Sequence, residues 1–155
     1  MQSDKEEFIY KDILKFTECC FEQYFQSDIR LAEKRYSNCS VGMGAFYLQY
    51  EYLNNYKIIF DYENLYFNIN IYNDNGGRIS LCEICNKIVK SQYGEKWQDW
   101  SLKIGNIKSA IKILATTLKT EKLYFYIYKD GKIYREQDGC VKRIKDVSEL
   151  NLQLN

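Results

Sequence analysis

Residues 65–72 read Leu65-Tyr66-Phe67-Asn68-Ile69-Asn70-Ile71-Tyr72. Apolar and polar side chains alternate without a break, and in an extended chain successive side chains point to opposite faces. Leu65, Phe67, Ile69 and Ile71 therefore share one face, and Tyr66, Asn68, Asn70 and Tyr72 the other. A strand with one dry face and one wet face belongs to an antiparallel sheet covered on a single side. Asn73-Asp74-Asn75-Gly76-Gly77 ends the run with residues that tolerate turns and positive φ.

The same period extends toward the N-terminus. Phe46, Leu48, Tyr50 and Tyr52 alternate with Tyr47, Gln49 and Glu51, Asn54-Asn55 supplies a turn, and Ile58 and Phe60 lead to another turn near Glu63-Asn64. Residues 45–80 thus form a meander, with Arg78-Ile79 opening a short last strand. Before it, Ile9, Ile13, Phe16, Cys20 and Tyr24 recur at helical spacing, widened by Leu14, Phe21 and Phe25. This stripe predicts an amphipathic helix over 4–26, opened by a capping box at Ser3 and Glu6. A weaker helical turn is expected at 28–36, then a loop through Ser37-Asn38-Cys39-Ser40, Gly42 and Gly44.

After the meander, a second box at Ser80 and Glu83 and the spacing of Leu81, Ile84, Ile88 and Val89 predict a helix over 81–91. Residues 92–105 are irregular, with Trp97 and Trp100 as core anchors. The spacing of Ile107, Ala110, Ile111, Leu114, Ala115 and Leu118 predicts a helix over 106–119, capped by Asn106. Hairpins fill 122–144, where Asp130-Gly131 is a type I′ turn signal and Asp138-Gly139 allows another. Tyr124, Tyr126 and Tyr128 alternate with Leu123, Phe125 and Ile127 and are expected to face outward. The fold class is α+β: one domain, 1–155, whose antiparallel meander is packed on one face by the N-terminal helix and the later amphipathic helix.

Composition narrows the chemistry. The 155 residues include 15 tyrosines, no proline and no histidine. Without histidine there is no Ser-His-Asp triad, no Cys-His pair, no HExxH zinc helix and no zinc-deaminase centre. No glycine-rich phosphate loop is present either. No enzyme activity and no cofactor are therefore expected. The polar, acidic start, Met1 to Glu7, is the reverse of a secretory leader, and no apolar run reaches the ~20 residues needed to span a bilayer. The expected compartment is the cytoplasm, with no membrane partner and with the six cysteines as thiols.

Cys82-Glu83-Ile84-Cys85 is a CxxC at a predicted helix start, where the helix dipole favours a thiolate. It could serve redox chemistry, or zinc with two of Cys19, Cys20, Cys39 and Cys140, against the plainer reading of small core thiols. The net charge of +1 hides an asymmetry: residues 1–77 carry 7 basic and 12 acidic side chains, residues 78–155 carry 15 and 9. Nucleic acid is thus the rival partner, through Lys103, Lys108, Lys112, Lys119 and Lys122 with neighbouring tyrosines.

Tyr56-Lys57-Ile58-Ile59-Phe60, Asn70-Ile71-Tyr72-Asn73-Asp74, Ile79-Ser80-Leu81 and the Ile107–Ala115 helix together give residues 56–118 a pattern. It resembles that of the small α+β immunity proteins that neutralise bacterial polymorphic or contact-dependent toxins. The resemblance implies a cytoplasmic, non-enzymatic protein that binds a cognate toxin and blocks its active site or an essential surface. A phage-encoded inhibitor of a host defence complex would follow the same surface logic. Inhibitors of nucleases often imitate phosphate with carboxylates, so the expected docking residues are Glu51, Asp61 and Glu63 with Tyr66, Asn68, Asn70 and Tyr72.

Overall fold

The computed structural model describes residues 2–37, 44–53, 55–63, 66–81, 106–120, 124–137 and 140–145. Helix α1 spans Gln2–Phe25, and a short 3-10 turn, Gln26–Asp28, leads into strand β1, Ile29–Ser37. Strands β2 (Ala45–Tyr52), β3 (Tyr56–Glu63), β4 (Tyr66–Asn73) and β5 (Arg78–Ser80) follow. Helix α2, Ile107–Thr120, precedes β6 (Phe125–Lys129), β7 (Lys132–Gln137) and β8 (Cys140–Ile144). All eight strands form one sheet in chain order, β1 to β8, and every neighbouring pair is antiparallel. The fold is α+β, as the alternation and the helical stripes predict.

Turn chemistry fixes the register. The β6–β7 hairpin closes on Asp130 (φ 52°) and Gly131 (φ 71°), the two left-handed residues of the predicted I′ turn. At the β4–β5 turn, Asn73 Oδ1 accepts from the amides of Asn75 (3.1 Å) and Gly77 (2.7 Å), an Asx-type closure. That turn is tied to β7 as well. The buried Glu136 carboxylate accepts from the side-chain amides of Asn73 (3.1 Å) and Asn75 (2.7 Å). Gly77 sits so close to β6 that a Cβ there would lie 2.6 Å from Phe125 Cβ.

One face of the sheet is dry. Phe46, Leu48, Tyr50, Tyr52, Ile58, Phe60, Tyr62, Phe67, Ile69 and Ile71 are buried with Ile13, Cys20, Phe21 and Phe25 of α1 and Ile107, Ala110, Ile111, Leu114 and Ala115 of α2. Rings link the parts. Tyr62 stacks on Phe46 (4.8 Å), Phe46 on Phe60 (5.7 Å), and Phe60 meets Phe21 of α1 edge-on (6.1 Å). Phe21 also stacks on Tyr50 (4.3 Å) and on Phe25 (5.8 Å), which leads through Tyr52 and Tyr56 to Phe125 of β6.

Four features depart from the sequence expectation. Residues 29–37 are a strand rather than a helical turn. Its register slips between Leu31 and Glu33, so the strand holds an extra residue that spoils the period-two pattern. Helix α1 begins at Gln2, which places Ser3 inside the first turn rather than at the cap. The meander and the terminal hairpins are one sheet, joined by the Arg78–Tyr126 pair. Tyr126 is buried (5% exposed) rather than outward and open. Arg78 and Arg135 flank it in register, and their guanidinium groups lie over Tyr128 (5.8 Å) and Tyr124 (5.0 Å). The predicted 81–91 helix, apart from Leu81, lies outside the described residues, as do Trp97 and Trp100.

Phe21 joins helix to sheet, so Phe21→Ala is expected to lower unfolding free energy by about 3–5 kcal/mol, read by urea denaturation. Gly77→Ala is expected to cost about 1–3 kcal/mol through overpacking against Phe125.

Candidate functional site

Strand alternation gives the second face of the sheet its side chains. Among the described residues neither helix touches it, because both bury their apolar stripes on the dry face. The register sorts this face into rows that cross the strands. Arg35, Tyr47, Asp61 and Asn68 form one row; Ala45, Glu63 and Tyr66 form the next. Glu33, Gln49, Ile59, Asn70 and Ser80 form a third. Arg30, Glu51, Lys57, Tyr72 and Arg78 form a fourth.

The seven docking residues expected from sequence therefore share a face but not a place. Asp61, Glu63, Tyr66 and Asn68 cluster at one end of β3 and β4. Glu51 and Tyr72 stand about 13 Å away along the strands, four residues at ~3.3 Å each, with Asn70 between. A hollow of about 920 Å³ opens at the first end. Arg35, Tyr47, Asp61, Glu63, Tyr66 and Asn68 line it from this face, and the adjoining row Tyr36, Phe46, Tyr62 and Phe67, in register with the dry face, lines the rest. Tyr36 and Tyr66 are 62% and 57% exposed, so large aromatic surface is offered to solvent there.

The carboxylates of the sheet differ in a way sequence does not disclose. Glu51 is bound by Arg30, Glu33 by Arg35 (2.5 Å), and Glu18 of α1 by Lys34 (2.8 Å). Asp61 and Glu63 have no hydrogen bond or ion pair among the described residues. Partial burial against the sheet holds the Asp61 carboxyl above its ordinary value. Tyr47, beside it, is also pushed up, first by burial and then by the charges of Glu33 and Asp61. Its hydroxyl donates to Gln49 Oε1 (2.7 Å), while Arg35 lies over its ring (5.5 Å). Sequence reasoning misses Arg35, Tyr36 and Tyr47. The first two sit on the strand read as helical; the pairing Arg35–Tyr47–Asp61 brings Arg35 and Tyr47 to the acids, while Tyr36 pairs with Phe46 in the neighbouring row.

The rival constellations fall only partly among the described residues. Lys108, Lys112 and Lys119 are exposed on α2, across the sheet from the tyrosines of the second face, and Lys103 and Lys122 lie outside the described residues. Cys82, Cys85 and Cys39 also lie outside them; Cys20 is buried, and burial raises its thiol pKa. Among the described residues, no group of three or more Cys, Asp and Glu is placed to hold a metal ion, and no helix is long and apolar enough to cross a membrane. Comparison with protein-family models, with curated proteins and with solved structures returned no match.

A carboxyl raised by burial weakens the fold in its charged form. That penalty is absent while the group is protonated in both states and grows as pH rises through the folded value. Asp61→Asn is accordingly expected to melt above wild type at pH 7. The difference should shrink to nothing as pH falls below the ordinary carboxyl value of 3.8, as thermal scans from pH 3 to 7 will show.

Proposed function

We propose that this chain is a non-enzymatic, protein-binding inhibitor, and that the hollow around Asp61 and Glu63 takes a basic surface of its partner. One observation carries the proposal: these two carboxylates lack a cation among the described residues, whereas Glu18, Glu33 and Glu51 each have one. A lysine or arginine presented by a partner would supply it. The exposed ring of Tyr66 offers the same cation a π-face, and the Asn68 amide adds a hydrogen-bonding group. Tyrosine and asparagine give contact area and hydrogen bonds at low rotamer cost, which suits a binding surface made before the partner arrives.

The resemblance of residues 56–118 to small immunity proteins points the same way. A bacterial toxin that acts on a polyanion carries a basic active-site surface, and a carboxylate pair set among tyrosines is a fitting plug for it. Inhibition would follow from occupancy, so no turnover by this chain is required. A cytoplasmic site of action accords with thiol cysteines, two of which, Cys19 and Cys140, are exposed and unbridged.

The protein encoded beside this chain's gene is the partner to test. Co-expression is expected to give a stable 1:1 complex on gel filtration, and separate peaks at micromolar concentration would overturn the proposal. Asp61→Lys with Glu63→Lys is expected to weaken the complex at least 100-fold by calorimetry. Glu51→Gln, whose parent carboxylate is already neutralised by Arg30, should change it less than threefold.

A further inference from the structure

The fourth row continues beyond Arg78. Register carries it through Tyr126 and Arg135 to Lys142, so that Arg30, Glu51, Lys57, Tyr72, Arg78, Tyr126, Arg135 and Lys142 lie side by side across all eight strands. Alternation puts the whole row on the face away from the helices: Ile58, Ile71, Ile79 and Phe125, each one residue along its strand, are buried in the core. Cations therefore stand on β3, β5, β7 and β8 with tyrosines between them on β4 and β6.

These four cations differ from those of β1. Arg30, Lys34 and Arg35 each bind a glutamate, whereas Lys57, Arg78, Arg135 and Lys142 have no ion pair among the described residues. The nearest acids among the described residues do not answer them. Glu51 faces Lys57 in register but is held by Arg30, and Glu136 is turned to the other face, where Asn73 and Asn75 occupy it. Asp74 and Asp130 lie at turns, beyond the ends of the strands. Asp61 and Glu63 stand at the far end of β3, about 13 Å or more away. The local balance is basic as well, with six lysines and arginines against three acids over residues 124–145.

We propose that this row is a track for single-stranded nucleic acid, whose phosphodiester backbone crosses the strands from Lys57 to Lys142. Five strand spacings of ~4.8 Å give a path of about 24 Å, enough for roughly four nucleotides of backbone. The guanidinium carbons of Arg78 and Arg135 lie 5.8 Å and 5.0 Å from the ring centroids of Tyr128 and Tyr124, cation–π contacts that hold both side chains over this face, where a guanidinium can fork onto phosphate oxygens. Tyr128, 60% exposed, and the half-buried Tyr72 offer rings beside the track on which bases can stack. Rings alternating with cations along one line favour nucleic acid, in which stackable bases alternate with phosphates at a similar spacing, over an acidic peptide. The track is separate from the Asp61 hollow, so either site can fail its test without the other.

The experiment is fluorescence anisotropy of labelled (dT)12 and (rU)12 with the full chain, from 50 to 200 mM salt. Binding is expected with a slope of log K against log salt of about −2 to −3, as three to four phosphate contacts on a single strand require. Lys57→Gln with Lys142→Gln, two exposed side chains, is expected to lower affinity at least tenfold and to flatten the slope by about 1.4. Arg78→Lys with Arg135→Lys, which keeps charge but not the planar fork, should lose at least threefold. Lys129→Gln, on the opposite face by alternation, should bind as wild type. An equal effect on both oligonucleotides assigns the track to the backbone; preference for (rU)12 adds a contact to the 2′-hydroxyl. The proposal is overturned if neither oligonucleotide binds at 50 mM salt, if the Lys57/Lys142 variant binds as wild type, or if polyglutamate of equal charge competes as well as (dT)12.

Discussion

The ring of Phe21 stands where helix α1 meets the sheet, and most of the architecture depends on how it is held. It is fully buried, stacked on Tyr50 and edge-on to Phe60, and through Phe25 it is continuous with rings that reach β6. Aromatic pairs of this kind add to the transfer free energy of the buried area and restrict the angle at which neighbours can lie. One helix is thereby seated on β2 and β3, and α2 fills the rest of the same face with Ile107, Ile111 and Leu114. Covering one face this thoroughly is what leaves the other to tyrosines, amides and charges.

The chemical character of the two faces follows from that division. On the dry side even tyrosines are drawn out of water: burial, ahead of the charges of Glu18 and Glu22, drives the Tyr50 hydroxyl pKa well above its ordinary value. On the wet side, charge is sorted by strand. At the β1 edge cations and carboxylates neutralise one another, and exposed pairs of that sort contribute little to stability. Away from that edge, carboxylates collect at one end of β3 and cations along a line from β3 to β8, each without a counter-charge among the described residues. Unanswered charge of opposite sign thus stands at two places on one face.

Much of this was legible in the sequence where local rules act alone. Period two over 66–72, the Asn73–Gly77 turn, Asp130-Gly131 and the stripe of α2 all read correctly, because alternation and turn residues encode them within a few positions. Strand β1 did not, since a bulge near Leu31 breaks its alternation and an edge strand is wet on both sides. Tyr126 was misjudged for a different reason: it is buried in the middle of the sheet between β5 and β7, neighbours that no local window contains. The docking residues were half legible. Alternation put all seven on one face, but separating Asp61 and Glu63 from Glu51 required the register and the partner of each carboxylate.

Every strand of the sheet pairs with its neighbour in sequence, so most contacts close over short loops and form early at small entropic cost. The joint between β5 and β6 is the exception. It brings together residues 78 and 126 through a single register pair, and a long stretch of chain must be gathered before it can form. Glu136 reaches across this joint from β7 to the β4–β5 turn and locks the two halves from the side. The molecule is thus two zippers that meet at one narrow seam, where the sheet makes its pairing of greatest sequence separation.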